Sequence, residues 1–156
     1  MTKGLIDQLI SISKEKNQLL FEMQGITKEQ REEIKEEDMK SLNGILDKKD
    51  YIIKEIDKLD ISFLTIFSKI KKEEKIENID ELDVDRYPSL RELKKIIKEI
   101  SSTLMAISLI DEQNNNSMKS KLEETKMDIR RIKDGKKAYR GYNTKIPESI
   151  LIDEKK

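Results

Sequence analysis

The chain has no cysteine, no histidine and no tryptophan, and only 5 glycines and 2 prolines in 156 residues. Each absence removes a class of function. Without cysteine there is no disulfide framework, no thiolate-held zinc or iron–sulfur cluster, and no thiol nucleophile. Without histidine there is no Ser-His-Asp triad, no imidazole base, and no carboxylate–histidine metal site of the kind built inside helical bundles. So few turn-forming residues leave little for a many-stranded β fold or a phosphate-cradling loop. No stretch reaches the roughly 18 consecutive apolar residues of a transmembrane helix. The opening MTKGLIDQLISISKEK also lacks the apolar run of a signal peptide. A protein that stays in the cytosol, with no membrane insertion, is therefore expected.

What the chain has is charge: 41% of residues are charged against 35% hydrophobic, with 32 basic and 32 acidic side chains in balance. The balance rules out a global basic field for nucleic acid. Taken alone, this composition describes a disordered chain. Periodicity overturns that reading, because a long thin helix needs only a narrow apolar stripe. Leu5, Leu9, Ile12, Leu19, Met23 and Ile26 alternate steps of four and three, with Lys16 in the gap. Gly25 interrupts the run, and Thr27-Lys-Glu-Gln30 reads as a capping box. This spacing predicts one helix over about 3–24 and a second over about 28–74, with Glu36-Glu37-Asp38 as another possible start. The second seam is Leu42, Ile45, Ile52, Ile56, Leu59, Phe63, Ile66 and Ile70, with Lys49 in its gap. Ile53, Leu64 and Phe67 widen it, as in a helix that touches more than one neighbour.

A short acidic connector, 77–87, follows. Pro88 and Ser89-Leu-Arg-Glu92 then open a third helix. Its seam runs Leu90, Leu93, Ile97, Ile100, Leu104 and Ile107, meets Asp111 and Asn114, and resumes at Met118, Leu122, Ile129 and Ile132. Asp134-Gly135 is the predicted stop, giving a helix of about 88–133 and roughly 70 Å. A compact domain of this size has a radius of gyration near ~15 Å and cannot enclose such a helix. The expected fold is all-α: an elongated antiparallel three-helix bundle or coiled coil over 1–135. A flexible basic and apolar tail, 136–156, follows, because Gly141 and Pro147 break the helical period.

Paired carboxylates such as Glu32-Glu33 and Glu123-Glu124 fall on polar helix faces, where water solvates them and no pocket separates their pKa values. No calcium loop motif is present. No metal, cofactor or enzymatic activity is expected. In Asn114-Asn115-Asn116, Asn114 occupies the seam, where a buried polar residue fixes register; the alternative is a recognition point on an exposed face. From 119 to 142 nine basic residues outnumber four acidic ones, beside Tyr139 and Tyr142. Such a cluster can meet nucleic acid, but basic residues also complement a helix C-terminus. With no DNA-binding motif, no nucleic-acid partner is predicted. The final apolar cluster, Ile146, Ile150, Leu151 and Ile152, is surface that a purely solvating tail does not need.

Taken in order, these residues resemble the FlgN family of flagellar export chaperones, in the form carried by low-GC Gram-positive bacteria. The opening helix from Leu5 to Met23 is of the family's type, and residues 38–60 look like its second helix, with Lys49 at the mid-helix lysine. Ile110-Asp-Glu-Gln-Asn114 resembles an element late in the family's bundle, and Tyr139, Gly141 and Tyr142 followed by Ile152-Asp-Glu-Lys-Lys156 resemble its tail. The resemblance implies a cytoplasmic, non-ATPase chaperone. It would bind C-terminal helical segments of hook-filament junction proteins (FlgK/FlgL-like), prevent their premature assembly and deliver them to the export apparatus. It also places partner binding late in the third helix, which together with the tail assigns Met118, Leu122, Ile129, Ile132, Tyr139 and Tyr142. A spare apolar strip covers such segments by helix-in-groove packing, with Met105, Met118 and Met127 as adaptable contact surface. The alternative is a structural or adaptor coiled coil acting by homo- or hetero-oligomerisation.

Overall fold

The computed structural model describes the backbone of residues 1–142 and the side chains of residues 1–137. Three long helices, α1 (Thr2–Glu36), α2 (Met39–Glu74) and α3 (Leu90–Tyr142), are joined by a tight turn and by a connector holding a short 3-10 helix, Ile79–Glu81. No strand occurs among the described residues. The chain divides into two compact units, Met1–Asn114 and Asn115–Lys156.

The first helix does not stop at Gly25. A lone glycine costs about 1 kcal/mol in a helix interior, which tertiary packing readily exceeds. Thr27 is not a cap: it is fully buried, and its hydroxyl donates to the Met23 carbonyl one turn back. The break lies ten residues later. Glu37 closes α1 in the left-handed region at φ 58°, and Asp38 caps α2 by accepting from the Ser41 amide at 3.1 Å. Lys75, also left-handed at φ 54°, closes α2 with its N–H on the Lys71 carbonyl. In the connector, the Glu81 carboxylate accepts from the Glu77 and Asn78 amides at 2.6 and 2.9 Å, while Leu82 is buried in the core. Pro88 and Ser89 lie just outside α3, where the Leu93 amide donates to the Ser89 carbonyl. Nor does Asp134-Gly135 end α3, which continues to Tyr142 with no glycine at positive φ. The expected boundary at 135/136 thus falls inside a helix. Residues 143–156, the rest of the expected tail, lie outside the described residues.

Within residues 1–114 the polar contacts give the helix directions. Lys14 meets Glu92, Asn17 meets Glu99 and Thr27 meets Asn114, so α1 and this part of α3 run parallel. Lys16 meets Asp60 and Gln30 meets Lys49, so α1 and α2 are antiparallel; Lys49 with Asp111 and Glu74 with Tyr87 make α2 and α3 antiparallel. The result is an up-down-up bundle. Its core takes Ile6, Leu9, Leu20 and Met23 from α1, Ile52 and Ile70 from α2, and Leu90, Leu93, Ile96, Ile100 and Ile107 from α3. Each such side chain contributes roughly 1.5–3 kcal/mol on burial. The α3 seam differs from the expected one: Ile96 and Thr103 are buried, whereas Ile97 and Leu104 are exposed. Positions 96 and 97 are both isoleucine, so residue type alone does not set the phase. Ile53 and Leu64 of α2 are exposed as well, and only Phe67 of that trio packs on the core.

Each pair of helices carries a polar tie at a seam position. Lys16 bonds Asp60 at 2.7 Å between α1 and α2. Lys49, its side chain only 12% exposed, bonds Asp111 at 2.8 Å between α2 and α3. Asn114, 1% exposed, donates from Nδ2 to the Thr27 carbonyl at 3.1 Å between α3 and α1. Polar groups inside an apolar seam are satisfied in one register only, so the three ties together fix how the helices slide against one another.

Candidate functional site

In the unit that begins at Asn115, α3 carries exposed apolar residues. Met118, Leu122, Ile129 and Ile132 are 36% to 55% exposed. Their steps of four, seven and three keep them on one face, with Thr125 in the gap, over about 21 Å at 1.5 Å per residue. Four large apolar side chains in a line are more than ordinary surface scatter. In heptad phase Met118 and Ile132 match Ile97 and Leu104, which are exposed in the first unit, while Leu122 and Ile129 stand one residue past the phase of the buried Ile100 and Ile107. Two ion pairs beside the line, Lys126 with Glu123 at 3.6 Å and Arg131 with Asp128 at 3.9 Å, lie within the helix, exposed and weak.

Four of the six residues assigned from sequence therefore share one exposed face. Tyr139 and Tyr142 belong to the backbone of the same helix, and their side chains lie outside the described set. Of the methionines expected to supply contact surface, Met118 joins the stripe. Met127 is exposed on another face of the helix, and Met105 is exposed in the first unit. The first unit also has a cleft of about 410 Å³ lined by Ile12, Phe63, Leu64, Ile97 and Ile100, with the Lys16–Asp60 pair beside it. Sequence reading passed over this cleft because Leu64 and Ile97 looked like parts of apolar stripes. Among the described residues no cluster of three or more acids is placed to hold a metal ion, and no helix is long and apolar enough to cross a membrane.

A family model described as FlgN protein matches residues 1–146. Comparison with curated proteins and with solved structures finds no match.

Proposed function

The chain belongs to the FlgN family, a family of flagellar export chaperones and not of enzymes, and on that premise we propose that it acts in the cytoplasm on hook-filament junction proteins. Their C-terminal helical segments lie along the α3 stripe, are kept from assembling early, and pass to the export apparatus. The observation that supports this reading is the exposed line Met118, Leu122, Ile129 and Ile132. An amphipathic helix laid on it buries apolar surface on both partners without any nucleotide. Tyr139, which the resemblance assigns to the same partner, lies seven residues beyond Ile132 in the sequence.

The test is a titration of the full chain with the C-terminal segment of a junction protein. One-to-one binding is expected, weakened by about tenfold or more, ~1.4 kcal/mol, in Ile129→Asp and Ile132→Asp. Both side chains are exposed, so the melting temperature is expected to stay within a degree or so. A variant that loses its fold together with its binding returns these residues to a structural role.

A further inference from the structure

One flank of the stripe carries a row of lysines, with Glu123 beside it. Lys119, Lys126 and Lys133 each follow a stripe position, after Met118, Thr125 and Ile132, and they are seven residues apart. Residues seven apart on an α-helix drift by only about 20° per step, so the three lysines form one row beside the apolar line. The opposite flank, Lys121, Asp128 and Gly135, has no such uniformity. Lys126 is engaged with Glu123 of its own helix at 3.6 Å, with both side chains more than half exposed. A partner's carboxylate displaces so weak a pair at little cost.

We propose that the helix bound on this stripe presents a matching row of acidic side chains, seven residues apart, to Lys119, Lys126 and Lys133. The inference rests on the reading of the stripe as a helix-binding face and adds the chemistry of what it selects. An apolar line accepts any amphipathic helix at several offsets. Flanking charges at heptad spacing discriminate among partners and offsets, because a slip of one heptad leaves one of three lysines unmatched.

The full chain is titrated with two synthetic amphipathic peptides that differ only at three flanking positions seven apart, glutamate in one and lysine in the other, and with the junction-protein segment. The glutamate peptide is expected to bind about tenfold more tightly at low salt, three exposed pairs together giving that factor, and the gap to close as salt is raised. The combined substitution Lys119→Glu, Lys126→Glu and Lys133→Glu is expected to invert the preference. The corresponding triple change to Gln is expected to erase it, with helicity by circular dichroism unchanged in both. Equal binding of the two peptides, or a preference that the lysine variants leave untouched, overturns the proposal. A junction segment that binds the triple variant as well as the parent overturns it too, yet leaves the stripe as a binding face. Absence of binding by any of the three peptides removes both. A salt-sensitive dimer of the free chain that the triple variant abolishes also overturns it, by making a second copy the source of the acids.

Discussion

Lys49 sits where a leucine or isoleucine would continue the seam of α2, and its amine is held by Asp111 and by Gln30 at 2.8 and 2.9 Å. The gaps that Lys16, Lys49 and Asn114 leave in their seams are plain in the sequence. Their partners are not, because pairing Lys49 with Asp111 requires the direction of two helices to be known. Asn114 shows what such a residue costs. Its Nδ2 is bonded, but its Oδ1 is buried without a partner. Asn114→Leu removes the orphaned acceptor and leaves the Thr27 carbonyl inside its helix, so stability is expected to change by less than about 1 kcal/mol in urea unfolding. Asn114→Asp buries a charge facing a carbonyl and is expected to cost about 3 kcal/mol in the same measurement. Glu74 gives a pH signature. The Tyr87 phenol at 2.6 Å and the Thr2 hydroxyl at 2.8 Å donate to it and hold its carboxyl below the usual range, with Arg86 adding a smaller pull. The fold therefore favours the carboxylate. That stabilisation is complete above the ordinary glutamate pKa and is lost as pH falls through the lowered folded value. Glu74→Gln is expected to shrink the drop in melting temperature between about pH 6 and pH 3; an unchanged drop removes Glu74 from the acid response.

The existence of three long helices was legible from heptad spacing alone; their ends were not. Thr27-Lys-Glu-Gln30 matches a capping box in composition, but the match does not say whether Thr27 is exposed at a helix start or buried inside one. The contact that decides it comes from Asn114, 87 residues away. Glycine was an equally poor guide. Gly25 and Gly135 both lie within helices, while the residues that do close α1 and α2 in the left-handed region are Glu37 and Lys75. A side chain with a Cβ pays a steric penalty there that glycine avoids. Lys75→Gly is accordingly expected to stabilise the chain by about 0.5–1 kcal/mol, read as a higher urea midpoint at unchanged slope.

For the molecule as a whole, the sequence distinguishes a buried from an exposed apolar face poorly, since both use the same residue types. Ile100 and Ile107 are buried, whereas Ile129 and Ile132 of the same helix are exposed. The residue type is identical, and the surroundings differ. The stripe residues were singled out through the family resemblance, not by their chemistry, and a match over residues 1–146 bears out that resemblance. A chaperone with an uncovered apolar line must also avoid its own kind. If two copies met stripe to stripe in opposite directions, the flank bearing Lys119, Lys126 and Lys133 would face itself, and six ammonium groups would converge on one seam. On the proposed reading the lysine row opposes that pairing in the empty state, until a complementary helix neutralises it. Screening works against both tasks at once: added salt loosens the grip on an acidic partner and lowers the barrier to self-association.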